Sequence, residues 1–591
     1  MRIPAAILLS IAVLAAGAAR AQECRVLNVP LMQPKPDTER EWIGDRHGHH
    51  RARAGIAWLG AFTRNANYAE IRAIFDSEGL DLQISVSDLF VWWIMEDGLQ
   101  WGGTPVADPI GWDSLEIVID PAGIGPDPGG ALPTAGALRI LAANYPYNDP
   151  VGYPETALPH SCTRTWAGAG GSWAEVADPA AGERVWYHAH GSSWNEDPGP
   201  SDNTTTFDNG TVYSFFIPWS SLGLDSEPPS GGTMRMAVVV HDVDDPRDAD
   251  TTGMDPPPSS RGSAEVGPLP DRAWPEGADP EDASTWGTIV LNQAPYAPPP
   301  VDSEEEITLY PGDVPEMRDV TIGGHSFIED RWIDGGGDPA AYGWDSCMET
   351  RFGTAENLFV HPEGGPTHMC FFDRILMYWD LAAAIPSDHA VTRADLVLHH
   401  FGGDTNEDPG TPGFEVMTSP VQVHRIEGDW IDLPLDDCVT WNTAPLAAEN
   451  VGYGEVEPIP EGGDRRDVSF DVTPLVARAV LRSEPLSIAL YGADTTANTG
   501  KYFVSSEGGW EAANHPHLVV RHGPPSDPST LPDASGCTLG VSEGLLPNPG
   551  TGTPEQPEPL SEIPEEPLPE PMPDAGEPPV DAGGCGCSIA A

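Results

Sequence analysis

From Asp81 to Asp88 the chain reads Asp-Leu-Gln-Ile-Ser-Val-Ser-Asp, with apolar side chains at every second position. Successive side chains of a strand point to opposite faces, so this period predicts a strand with one face in a core. Residues 116–119, 234–240, 396–398 and 518–520 carry further short apolar runs that read as strands. Clusters of Gly, Pro, Asp and Asn separate them, and helical periodicity is scarce. The chain holds 64 glycines and 64 prolines, which break helices and mark turns. The pattern predicts an all-β protein with long loops.

Breaks in the pattern divide the chain. Met1-Arg2 is a short basic start, residues 3–16 are mostly apolar, and Ala19-Arg20-Ala21 supplies the small residues a signal peptidase reads. Residues 1–21 are therefore expected to be a secretory signal peptide, too short to span a membrane. The run Ala294-Pro295-Tyr296-Ala297-Pro298-Pro299-Pro300 predicts a stiff linker, placed at 296–302. Beyond Arg521 there is neither Lys nor Arg, and the composition turns to Pro, Glu and Gly. Such a segment buries no core. The expected architecture is two tandem β-sandwich (jelly-roll-like) domains, 22–295 and 303–523, followed by a disordered acidic tail, 524–591.

Charge narrows the function. The 91 acidic and 29 basic residues give a formal charge of −62, and the only lysines are Lys35 and Lys501. That surface repels nucleic acid and anionic membranes, and it can gather divalent cations. No other stretch is apolar for long enough to span a bilayer. The eight cysteines, in an oxidising compartment, favour disulfides, with Cys24 and Cys162 able to pair in the first domain. None of them has zinc-ligand spacing.

Three segments of the first domain resemble the family 9 carbohydrate-binding module and its DOMON-like relatives. They are 69–76 (Ala-Glu-Ile-Arg-Ala-Ile-Phe-Asp), 112–120 (Trp-Asp-Ser-Leu-Glu-Ile-Val-Ile-Asp) and 215–224 (Phe-Phe-Ile-Pro-Trp-Ser-Ser-Leu-Gly-Leu). The resemblance implies a site in which Trp112 and Trp274 sandwich a sugar ring while Glu116 and Arg139 read its hydroxyls. Flat indoles suit the C–H face of a pyranose, and charge-assisted hydrogen bonds are directional. The family often has asparagine where Leu141 stands here. Glu116 and Arg139 also fit a plain structural ion pair. Asp242, Asp244 and Asp245, at the family's Asn-Asp turn, are hard oxygen ligands that suit calcium, although their spacing matches no calcium loop. Some DOMON-like relatives bind haem; Met95, Met234 or Met236 with His241 are the candidates for that alternative.

From residue 305 to 521 the chain resembles the DNRLRE type of secreted carbohydrate-binding sandwich. The landmarks are 371–386 (Phe-Phe-Asp-Arg-Ile-Leu-Met-Tyr-Trp-Asp-Leu-Ala-Ala-Ala-Ile-Pro), Thr440-Trp441-Asn442, and Phe470-Asp471-Val472-Thr473. Asp471 and Thr473 read as a turn or cap, and Trp441 as core rather than as a sugar platform. Some relatives bind acidic polysaccharides, for which Arg374, Arg425, Arg465, Arg466 and Lys501 are the basic candidates. Cys585-Gly586-Cys587, after the Pro/Glu tether, resembles the start of a myxobacterial C-terminal sorting signal.

No Gly-x-Ser-x-Gly elbow, P-loop or His-Glu-x-x-His motif occurs, so no catalytic activity is expected. The expectation is a secreted or surface-attached protein that binds a polysaccharide or cell-wall glycan. The alternatives are a structural or adhesive surface protein without a small ligand, an accessory of polysaccharide degradation, and the haem binder.

Overall fold

The structure, a computed structural model, describes residues 25–32, 53–63, 66–87, 114–125, 130–143, 163–176, 186–193, 208–241, 272–323, 357–362, 372–403, 418–426, 430, 439, 441, 443–459, 464–493, 500–507, 509–534 and 536–542. It is all-β apart from short helical segments. In the first sandwich, the strands Gly55–Thr63, Ala66–Phe75, Gly79–Ser87, Asp208–Pro218 and Trp186–Ser193 lie side by side in that order and antiparallel. The facing sheet runs Trp173–Glu175, Thr163–Gly168, Leu138–Ala143, Ser114–Asp120, Gly232–His241, Gly287–Leu291 and Val26–Val29. The short strand Arg272–Trp274 also pairs with Gly232–His241. Ile71, Leu82, Ile84, Phe215, Ile117, Ile140 and Val238 meet between the sheets.

The second sandwich repeats this plan with other strands. Met317–Gly323, Phe372–Trp379, Leu486–Gly492, Ser419–Ile426 and Ala447–Val456 form one sheet. In the other, Ala390–Gly403 is flanked by His517–Gly523 and Arg466–Asp471, and its far end pairs with Lys501–Val504. Glu305–Leu309 and Asn357–Pro362 complete that sheet. The helix Thr473–Arg482, which strand periodicity did not announce, buries Leu475, Val476 and Val480 in this core. In the turn before its start, Asp471 accepts from Thr473 N at 3.0 Å and Thr473 Oγ at 2.6 Å.

The two sandwiches share a third core. Ile56, Trp58 and Tyr68 from the first pack with Phe372, Leu376, Tyr378, Trp441 and Tyr491 from the second. This explains the unbroken apolar run at 375–379 and the burial of the whole strand Phe372–Trp379. Ile375, Met377 and Trp379 face their own sandwich core, while Phe372, Leu376 and Tyr378 face the neighbour. The half-buried strand expected at 81–88 is corrected as well, for over its described part, Gly79–Ser87, Asp81, Ser85 and Ser87 on the polar face are also buried.

Two boundaries also shift. The proline-rich stretch at 296–302 is not a free spacer. Tyr296 packs on the second core, and its N–H donates to Val541 O at 2.8 Å. Asp302 N donates to Pro524 O at 3.0 Å, and Ser526 N to Pro300 O at 2.9 Å. Ordered chain therefore continues past 523 to Ser542, where Val541 is fully buried. Cys537 is disulfide-bonded. Cys24, Cys162, Cys347, Cys370, Cys438, Cys585 and Cys587 lie outside the described residues. Among the described residues no helix is long and apolar enough to cross a membrane.

Candidate functional site

The strand Ser114–Asp120 sits in mid-sheet and alternates cleanly. Leu115, Ile117 and Ile119 enter the inter-sheet core, which leaves Glu116 and Val118 on the outer face. On the neighbouring strands Arg139 stands opposite Val118, and Trp166 stands opposite Arg139. His241 ends the strand on the other side, opposite Ser114. The pleat thus gathers on one face residues that are far apart in sequence.

Their polar atoms interlock. Arg139 Nε donates to Glu116 Oε1, and Arg139 Nη1 donates to Glu281 Oε1. The second Glu116 oxygen lies 3.0 Å from His241 Nε2. The Arg139 guanidinium lies 4.8 Å from the centre of the Trp166 ring, and Arg164 lies 5.0 Å from the same ring. Arg164 is itself paired with Glu175 at 2.9 Å. Burial works against the Arg139 charge, but Glu116 and Glu281 outweigh it and hold its pKa above the ordinary value.

Glu281 is set by a tight turn. Its N–H donates to Asp279 Oδ1 at 2.9 Å, Asp279 N donates to Thr285 Oγ at 2.8 Å, and Trp286 Nε1 donates to Asp279 O at 2.8 Å. Trp286 lies beneath this turn with Val118, Val239 and Ala273, and its ring centre is 6.2 Å from that of Trp173. The depth is graded. The Glu116 side chain is 3% exposed, Arg139 13% and Glu281 65%, so the charged cluster opens outward at Glu281.

The expected site residues divide. Glu116 and Arg139 come together as an ion pair, and Leu141 lies beside them, directly opposite Glu116. Trp274 does not join them. It pairs with Val238, points into the inter-sheet core on the opposite face of the sheet, and is 2% exposed, so it cannot stack on a sugar held by Glu116 and Arg139. Trp112, Asp242, Asp244 and Asp245 lie outside the described residues. The haem alternative loses two of its pairs for the same geometric reason: Met234 and Met236 face the inner core, whereas His241 is on the outer face against Glu116. Met95 is outside the described residues. The basic candidates of the second sandwich are also sorted. Arg374 and Lys501 are buried and Arg425 lies 3.6 Å from Glu449, while Arg465 and Arg466 are exposed.

Sequence reasoning passed over Trp166, Glu281 and Trp173. A short Arg-Thr-Trp strand and an acidic turn before a tryptophan were their only signals. Neither reveals a partner without the strand register.

No protein-family model matches the chain, and no curated protein matches it. Among solved structures it is similar to a family 9 carbohydrate-binding module from Caldicellulosiruptor kristjanssonii in complex with cellotriose, at 14% identity and a TM-score of 0.25, over 45% of this chain and 93% of that one. It is also similar to a putative carbohydrate-binding protein from Bacteroides uniformis, at 11% identity and a TM-score of 0.27, over 45% of this chain and 99% of that one. Likenesses this slight transfer no site and no ligand.

Proposed function

We propose that this chain is a non-catalytic carbohydrate-binding protein that recognises a polysaccharide at the outer face built on Glu116 and Arg139. The observation that carries the reading is the outward-opening Glu116–Arg139–Glu281 cluster beside the half-buried ring of Trp166. A guanidinium next to a carboxylate offers a donor and an acceptor side by side. Neighbouring ring hydroxyls need just that pair, one accepting from Arg139 while the next donates to Glu281. The aromatic surface gives the C–H face of the ring an apolar seat. Trp166 takes the place that the family resemblance implied for Trp274.

We read the first sandwich as family-9-like and the second as DNRLRE-like, and from the N-terminal segment we place the protein outside the cell, secreted or held at its surface. The acidic surface fits that reading, since it disfavours nucleic acid and anionic membranes. Calcium at Asp242, Asp244 and Asp245 remains part of the proposal.

The purified chain is to be screened on a polysaccharide array, with calcium and with chelator, beside Arg139→Lys and Glu116→Gln. Lysine keeps the charge but loses the planar fork. A glycan bound by the wild type and lost by both folded variants supports the reading. Binding indifferent to both variants refutes this site and moves recognition elsewhere on the chain, and no binding at all leaves the structural surface protein.

A further inference from the structure

The second sandwich carries a feature of its own, on the outer face of the sheet containing Ala390–Gly403. Leu358, Phe503, Leu396 and Leu398 turn into the core, and their strand neighbours turn outward. The outward set includes a continuous row of aromatic rings. Phe359 meets Tyr502 at 5.0 Å between ring centres, Tyr502 meets Phe401 at 6.3 Å, and Phe401 meets Trp510 at 5.2 Å. All four are half-buried. Rings that served only as core would alternate inward; these line up across the strands on the solvent side.

At the Trp510 end the row opens into a pocket of about 500 Å³, lined by Asn357, Phe401, Arg465, Trp510, Glu511 and Asn514. The Arg465 guanidinium lies 4.5 Å from the centre of the Trp510 ring. The loop that carries Trp510 is anchored: Ser506 N and Ser506 Oγ both donate to Asp319, each at 2.7 Å. Among the described residues, a β-carbon at Gly402 would meet only Tyr502, at 3.8 Å.

We infer that this row and pocket form a second saccharide site, independent of the Arg139 face, which takes an extended neutral glycan. Aromatic rings in series seat the C–H faces of successive sugars. Two amides, a carboxylate and a guanidinium at one end supply donors and acceptors for hydroxyls. The pocket's formal charges, Arg465 against Glu511, cancel, and a chain of charge −62 repels a polyanion at long range. The occupant is therefore uncharged. Where one polymer reaches both sites, the second binding event becomes intramolecular.

The test is isothermal titration of the full chain with cellohexaose, xylohexaose, mannohexaose and a hexagalacturonate, repeated with Trp510→Ala, Phe401→Ala, Arg465→Gln and Arg139→Lys. One neutral hexaose is expected to bind the wild type, and Trp510→Ala and Phe401→Ala are each expected to weaken one class of site by about tenfold. That class should persist in Arg139→Lys, which separates the two sites. The inference falls if no neutral hexaose binds, or if the folded Trp510→Ala protein titrates like wild type. It also falls if only the galacturonate binds and Arg465→Gln abolishes it. Loss in Arg139→Lys without loss in Trp510→Ala overturns this site and leaves the first standing.

Discussion

Asn28 and Asn450, 422 residues apart, lock the two sandwiches together with three hydrogen bonds. Asn28 N donates to Asn450 Oδ1 at 2.7 Å, Asn28 Nδ2 to Asn450 O at 2.6 Å, and Asn450 Nδ2 to Asn28 O at 2.9 Å. Both residues are buried. The Asn450 amide imitates the edge of a strand and satisfies the Asn28 backbone beside the Val26–Glu449 bridge that joins the two sandwiches. Gly55 allows the close approach, since a β-carbon there would lie 2.1 Å from Asn28 O.

Replacing Asn450 with alanine orphans a buried N–H and a buried C=O. Each such loss costs about 1–3 kcal/mol, so Asn450→Ala should lower the unfolding free energy by roughly 2–6 kcal/mol. Urea titration followed by tryptophan fluorescence measures this. An unchanged midpoint would show that the interface does not depend on the pair.

A charged network lies deeper in the same interface. Arg72 is paired with Glu70, Tyr491 Oη donates to Glu70 Oε2 at 2.6 Å, and Arg72 Nη1 reaches Ala493 O at 2.5 Å. Glu70 and Arg72 are 0% and 4% exposed. Removing one partner of a buried pair strands the other, at about 3–5 kcal/mol. Glu70→Ala should therefore destabilise strongly in a thermal melt, and Glu70→Gln, which keeps the acceptor for Tyr491, should cost less.

Acid should loosen this interface. His424 donates from Nε2 to Ile56 O at 2.9 Å and packs against Trp58 with ring centres 4.8 Å apart. Burial pushes its pKa down to about 3. The unfolded chain binds that proton near pH 6.5. The folded state thus resists protonation, and the stability from His424 is full above about pH 6.5 and is lost as pH falls toward 3. Burial likewise lowers His400 to about 4 and adds to the slope. Asp319, pushed by burial up to about 6, opposes them, because its raised pKa favours the folded state as pH falls from 6 to 4. His424→Gln keeps an N–H donor and should flatten the pH dependence of urea stability between 6.5 and 4. An equal slope in the variant would assign the acid sensitivity elsewhere.

Trp274 and Arg139 should separate stability from binding. The Trp274 ring fills the core beneath Gly287, where a β-carbon would meet it at 2.7 Å. Trp274→Phe should cost stability through lost packing while leaving glycan affinity at the Arg139 face unchanged, and Trp274→Ala should cost about 3–5 kcal/mol. Arg139→Lys should show the reverse. Tm and glycan affinity measured on the same preparations decide this. A Trp274→Phe protein that melts normally but fails to bind would restore Trp274 to the site.

The sequence by itself determined the class of the fold, and a resemblance singled out Glu116 and Arg139, which the structure brings together as an ion pair. Period-two patterning is local, and Leu82-Ile84-Val86 and Leu115-Ile117-Ile119 show it without any knowledge of their partners. Turn-forming Gly and Pro are equally local, as is the turn in which Asp471 accepts from Thr473. What only the tertiary structure decided is which face each tryptophan took and what covered the second face of a strand. Trp274 turned inward and Trp166 outward because the register of Arg272–Trp274 on Val238 and of Thr163–Gly168 on Arg139 set their directions. A shift of one residue in either pairing would exchange the faces. The shared core of Trp58, Trp441 and Tyr491, and the aromatic row ending at Trp510, likewise join residues from remote strands. Their proximity comes from sheet pairing and stacking, and neither leaves a mark on the order of the residues.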